Sequence, residues 1–136
     1  MRVDGSLFAQ RFETRPVMGP GGALHFSFFD YALEIVASGG YYVTPDDPTE
    51  SWNIRVDARV NLPLGVLPVR PYIGVGIDRT TDEGIRTASG DAIAGIHLRI
   101  PFGPSVLPFA EAAYRAAPRL EDFRFRAGLR FQFTRP

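Results

Sequence analysis

The chain has 136 residues, enough for one domain, and no cysteine, which excludes a disulfide framework and a thiolate metal site. Its fifteen basic residues are all Arg and balance fifteen Asp and Glu, so the chain carries no electrostatic footprint for nucleic acid. No run approaches the roughly 18 apolar residues of a membrane-spanning helix, but membrane strands stay open because their alternation averages out.

Helix signals are nearly absent. Twelve Pro and fourteen Gly are scattered along the chain, and no long stretch keeps a 3.6-residue period. Met1-Arg2-Val3-Asp4 runs straight into patterned sequence without an apolar h-region. That start reads as a cytosolic chain or as a mature segment with an added start Met.

Residues 2–12, RVDGSLFAQRF, form the weakest expected strand. Gly19-Pro20-Gly21-Gly22 reads as a turn, and no helix follows to make it a phosphate cradle. Residues 22–29 set Leu24, Phe26 and Phe28 opposite His25, Ser27 and Phe29. Residues 32–43 set Leu33, Ile35, Ala37 and Tyr41 against Glu34, Val36, Ser38 and Gly40. Residues 52–62, WNIRVDARVNL, alternate most cleanly, with Ile54, Val56, Ala58 and Val60 on one face and Asn53, Arg55, Asp57 and Arg59 on the other.

Four more strands follow. Residues 69–79 oppose Val69, Ile73, Val75 and Ile77 to Arg70, Tyr72, Gly74, Gly76 and Asp78. Residues 91–100 oppose Ala92, Ala94, Ile96 and Leu98 to Asp91, Gly95, His97 and Arg99. Residues 108–116 oppose Ala110, Ala112 and Tyr114 to Phe109, Glu111, Ala113 and Arg115. Residues 123–133, FRFRAGLRFQF, oppose Phe123, Phe125 and Leu129 to Arg124, Arg126 and Arg130. The sum is about eight strands, an even number, in one domain spanning residues 1–136 with a short tail at 134–136.

Connections alternate in character. After strands one, three, five and seven they are polar: ETRPVMGPG, TPDDPTES, TTDEGIRTASG and APRLE. After strands two, four and six they are a tight turn at Asp30-Tyr31, then PLGVLP, then PFGPSVL. Such a pattern fits an up-and-down antiparallel meander with two different ends.

Alternation alone does not say which face is wet. Small residues on the polar face (Ser38, Gly40, Gly74, Gly76, Gly95, Ala113, Gly128) suit a crowded interior, where long Arg side chains fit only beside small neighbours. Glycines that relieve curvature are the plainer alternative. Aromatic residues fall near strand ends, with Tyr41, Trp52, Tyr114 and Phe123 toward the polar connections and Tyr31, Phe131 and Phe133 toward the other end. That placement suits two interfacial girdles. An Arg facing lipid at the midplane costs about 2–4 kcal/mol, so in a membrane the face of Arg55, Asp57 and Arg59 points inward.

Gly128-Leu129-Arg130-Phe131-Gln132-Phe133 is Gly-x-x-aromatic-x-aromatic at the end of the last strand. It resembles the sorting signal of bacterial outer-membrane barrels, with Gly128, Phe131 and Phe133 at the signal positions. With RPYIGVGID and PFAEAAYR added, residues 22–133 resemble the small OmpA/OmpX-like outer-membrane barrels. The resemblance implies an eight-stranded antiparallel transmembrane β-barrel in a bacterial outer membrane. It also implies the lipid bilayer and the barrel-assembly machinery as partners, and a monomer.

The expected lumen then holds Glu34, Arg55, Asp57, Arg59, Arg70, Asp78 and Asp91 from the first half of the chain. The second half adds His97, Arg99, Glu111, Arg115, Arg124, Arg126 and Arg130. The set looks cationic. Simple hairpin registers bring Glu111 near Arg124 or Arg126, His97 near Glu111, and Glu34 diagonal to Arg59. Glu111 is the expected central anion. A barrel this small is plugged by its own side chains, so a general porin is not expected.

Two other readings compete. A soluble lipocalin-like barrel would turn the Val, Ile, Leu and Phe face inward around a hydrophobic ligand. A lipid-modifying enzyme would use His25, Ser27 and Glu34 as a nucleophilic set. The bland reading of that trio, as polar lumen residues, is preferred, and no enzyme activity or cofactor is expected. Two distant His offer no metal spacing. The acidic pairs Asp46-Asp47 and Asp82-Glu83 read as solvated loop residues with at most weak Ca²⁺ binding.

Overall fold

A computed structural model describes residues 2–12, 18–29, 32–44, 47–62, 69–82, 85–99, 106–117 and 120–133. Eight strands run β1 (Arg2–Phe12), β2 (Met18–Phe28), β3 (Leu33–Thr44), β4 (Asp47–Asn61), β5 (Val69–Asp82), β6 (Ile85–Arg99), β7 (Val106–Ala117) and β8 (Leu120–Gln132). Each pairs antiparallel with its neighbours in sequence, and β1 closes on β8. Closure leaves no sheet edge, which is what a sheet in hydrocarbon requires.

Strand parity sorts the side chains. Ile54, Val75 and Ile77 on the outside are 65%, 63% and 67% exposed, while Arg55, Asp57 and Arg59 on the inside are 1%, 0% and 2% exposed. The aliphatic face therefore lies outside. This overturns the soluble ligand-binding alternative, which needs that face around a central cavity.

The interior fits because large inward residues meet glycine across the ladder. Asp57 pairs with Gly76, Arg59 with Gly74, Tyr72 with Gly95, and Phe109 with Gly128. A Cβ on Gly95 would lie 2.8 Å from Tyr72 Oη, and one on Gly76 would strike Asp57 Oδ1 and the Arg55 guanidinium. At Gly74 and Gly128 the obstruction is neighbouring backbone instead, the Ala58 and Leu7 carbonyls. Crowding by lumen side chains thus operates at Gly76 and Gly95, and close approach of a neighbouring strand's backbone at Gly74 and Gly128.

Three expectations are corrected. Gly19-Pro20-Gly21-Gly22 lies inside β2 and is no turn. Gly21 sits where a Cβ would be 2.6 Å from the Phe8 ring and 2.8 Å from the Gly39 carbonyl. The β2–β3 ladder runs through Gly21 and resumes at Met18, skipping Gly19 and Pro20, where proline has no N–H to give. Second, most of TPDDPTES and TTDEGIRTASG is paired strand, with Ser51 opposite Asp82 and Thr80 opposite Thr87. Asp47 and Asp82 accordingly belong to strands. Third, β2 ends at Phe28, and Phe29 turns the chain with φ 54°. Asp30-Tyr31, PLGVLP, residues 101–105, Asp46, Glu83 and the 134–136 tail lie outside the described residues.

Candidate functional site: the charge-packed lumen

The lumen is filled in tiers. Nearest the hairpin ends of β3–β4 and β5–β6, Arg55 grips Asp91 with two bonds of 2.6 and 2.5 Å and donates through Nε to Asp57 at 2.7 Å. The planar guanidinium matches the carboxylate fork, which a lysine could not do. Arg115 donates to Asp78 at 3.0 Å and to Asp122 at 3.3 Å, and Asn53 donates to Asp78.

The middle tier centres on Glu111. Its Oε1 accepts from Tyr72 Oη and Arg124 Nη2, each at 2.7 Å, and its Oε2 accepts from Arg59 at 3.3 Å. His97 Nδ1 lies 3.4 Å from the same oxygen. Four elements supply these groups: Tyr72 from β5, Arg59 from β4, His97 from β6 and Arg124 from β8. The Arg59 guanidinium also lies 4.5 Å over the Tyr72 ring, a cation–π contact. Arg126 is 4.4 Å over Phe8 and donates to Gln10 and Ser38.

At the end where both chain termini lie, Arg130 donates to Asp4 at 2.8 Å and to Glu34 at 3.4 Å. His25 Nε2 and Ser6 Oγ are 2.9 Å apart, and His25 Nδ1 is 3.8 Å from Glu34. Glu34 stands directly opposite Arg59 in the β3–β4 ladder, not diagonal to it. Its ion pair nevertheless goes across the lumen to Arg130.

The expected lumen residues converge, with two adjustments. Arg70 and Arg99 share the inward parity but are only half-buried, near the end that holds the termini. Asp4 and Asp122, left out of the sequence reading, are 1% and 2% exposed and accept from Arg130 and Arg115. With them the buried charges come close to balance, so the fully buried part of the lumen is not the cationic set expected. Asp4 lies in the weakest strand, and Asp122 lies just outside the strand read at 123–133; only the inward parity of each could have found them.

His25, Ser27 and Glu34 do come together, but not as a nucleophilic set. His25 is bonded to Ser6, and Ser27 Oγ has no hydrogen-bond partner among the described residues. Ser27 is 2% exposed, on the inward face of its strand. Among the described residues no cluster of His, Cys, Asp and Glu has metal-site geometry.

On the outer face the aromatic residues pair. Tyr41 and Trp52 rings are 5.0 Å apart, and Tyr114 and Phe123 rings are 5.1 Å apart. At the seam of the barrel, Phe133 packs over Gly5, where a Cβ would lie 2.6 Å from the ring.

No protein-family model matches the sequence, and no curated protein matches it at a significant level. Solved structures do. The N-terminal β-barrel domain of Pseudomonas aeruginosa OprF superposes with a TM-score of 0.72 at 20% identity, over 97% of each chain. The fold is that of the small eight-stranded outer-membrane barrels. Neisserial surface protein A follows, with TM-score 0.56 and 16% identity over 97% of this chain and 95% of that one. The attachment invasion locus protein Ail of Yersinia pestis gives TM-score 0.52 and 12% identity over 97% of each chain. At such identities the likeness carries architecture and not activity.

Proposed function

We propose that this chain is an integral protein of a bacterial outer membrane, with a structural or interaction role and no chemistry of its own. The observation that carries the reading is the inverted polarity of the barrel. Arg55, Asp57, Arg59, Glu111 and Arg124 are inside, and Ile54, Val56, Val75, Ile77 and Leu129 are outside. In water such an exterior would aggregate. In lipid it is the favourable face, and the closed barrel presents no sheet edge to hydrocarbon.

The dimensions agree. From Trp52 to Val60 the outward positions of β4 are all apolar, a span of nine residues. A tilted membrane strand needs about 9–11. Beyond Trp52, the β3–β4 and β5–β6 hairpins continue as paired strand, and these polar extensions are the surface offered to a partner. Gly128, Phe131 and Phe133 serve as the signal for the assembly machinery, and Tyr41, Trp52, Tyr114 and Phe123 anchor one membrane boundary. The interlocked lumen argues for a plugged monomer and not a general porin.

Purification decides between membrane and water. The chain is expected to fractionate with outer membranes, to need detergent to stay monodisperse, and to run faster on a gel unheated than boiled. A monodisperse, folded species in plain buffer would sink the reading.

A further inference from the structure

Among the side chains described on the outer face, only Arg11 and Arg79 are charged. Arg11 is opposite Phe125, one outward position inside the Phe123–Tyr114 pair. Arg79 is opposite Ile54, one outward position inside the Trp52–Thr81 pair. Each borders an apolar groove. The larger, about 830 Å³, is bordered by Arg11 and walled by Ile96, Leu98, Phe125 and Pro20.

The groove has a sequence origin. One cross-strand row reads Leu98–Ala110–Ala127–Ala9–Pro20 through consecutive ladders. The row above it holds Phe125 and Arg11, and the row below holds Leu129 and Leu7. Three alanines between rows of large residues leave a trough. Next to it, the missing β3 pairing at Gly19 and Pro20 opens the wall further.

We infer that this groove binds a lipid with a net anionic phosphate headgroup, the phosphate on Arg11 and an acyl chain over Ala9, Ala110 and Ala127. This rests on the membrane reading above. Charge complementarity selects the occupant. Arg11 is exposed and makes no ion pair among the described residues. An Arg just inside an interfacial ring extends its stem toward the headgroups, and a phosphate takes two of its donors at once. A second copy of the chain fits less well, because no carboxylate among the described outer-face side chains would meet Arg11.

The test is native mass spectrometry of the detergent-purified barrel titrated with dimyristoyl phosphatidylglycerol, dimyristoyl phosphatidylcholine, or inorganic phosphate. One phosphatidylglycerol is expected to bind about fivefold more tightly than phosphatidylcholine, the weight of one basic group near anionic headgroups. Arg11→Gln abolishes that preference while leaving chain binding. Ala127→Leu fills the trough and weakens both lipids. Ala94→Leu, outward but outside the groove, changes neither. The gel shift on heating verifies that each variant is folded.

Equal binding of the two lipids overturns the proposal. So does an Ala127→Leu variant that binds as the parent does, or displacement of lipid by millimolar inorganic phosphate. A dimer that Ala127→Leu dissociates would identify the groove as a subunit contact instead. A chain that is monodisperse without detergent would defeat the membrane reading itself, a distinct outcome from lost lipid preference.

Discussion

The middle of the lumen and its termini end are filled on different terms. Around Glu111 and Arg55 the bonds are shared, with four at 2.5–2.7 Å to Asp91, Asp57, Tyr72 and Arg124 beside longer ones of 3.3 and 3.4 Å from Glu111 to Arg59 and His97. The groups left over there include N–H donors, Arg59 Nε and Arg124 Nε and Nη1. Around Glu34 the contacts are 3.4 and 3.8 Å, and Asp4 Oδ1, His25 Nδ1 and Ser27 Oγ lack hydrogen bonds among the described residues. The difference teaches where a buried charge is dangerous to remove. In the middle, one carboxylate is the shared counter-ion of several cations. At the termini end, each pairing is partial and can be lost singly.

The sharpest way to break this comparison is Glu111→Gln. It leaves Arg124 buried beside a neutral amide, while Arg59 keeps Asp57 at 3.3 Å, and an uncompensated buried charge costs about 3–5 kcal/mol. Urea unfolding in detergent micelles, followed by the lone tryptophan, Trp52, is expected to show a loss of that size. A loss under about 1 kcal/mol would mean that the cations find other partners and that Glu111 is no hub.

Next comes Gly128→Ala. The added methyl would strike the Leu7 carbonyl and lie 2.6 Å from Phe8 Cα, at the seam where β1 meets β8. Backbone must move, for about 2 kcal/mol. Because Gly128 is also a signal position, folding from urea without any cellular machinery separates the two roles. Slow insertion in cells with unchanged stability in vitro would assign Gly128 to the signal alone.

How far the sequence reached follows from the same physics. Period-two alternation marked the strands where an apolar face points outward and the other lines a crowded lumen, as in WNIRVDARVNL. Beyond Trp52 the sequence alternation stops while backbone pairing continues, and TTDEGIRTASG read as a loop. Gly19-Pro20-Gly21-Gly22 read as a turn because glycine and proline usually mark one. Here Gly21 instead admits the Phe8 ring, a long-range contact no local window contains. Hairpin arithmetic put His97 near Glu111 and Glu111 near Arg126 or Arg124, and the ladders set His97 and Arg126 opposite Glu111 while Arg124 bonds it, since adjacent strands fix register. It could not find Arg130 reaching Glu34 across the lumen, because that contact depends on closure and side-chain length.

Glu34→Gln sharpens the comparison from the weaker side. Its partners are Arg130 at 3.4 Å and His25 at 3.8 Å, and Arg130 keeps Asp4 at 2.8 Å when Glu34 is neutral. The expected loss is about 1 kcal/mol, the scale of a single hydrogen bond. The same Trp52 unfolding assay checks it. A loss equal to that of Glu111→Gln would erase the distinction between the two ends.

Ser27→Ala carries the smallest effect and the most diagnostic sign. The Ser27 hydroxyl is buried and makes no hydrogen bond among the described residues, so folding strips it of water without replacement. Such a group is a cost, and deleting it is expected to leave stability unchanged or raise it by up to about 1 kcal/mol. His25 loses nothing, since its Nε2 contact is with Ser6. A clear destabilisation would mean that Ser27 is bonded in the membrane, through His25 or a trapped water. Ser27 would then belong to the termini-end network, and the nucleophilic arrangement of His25 and Ser27 would return as a live geometry.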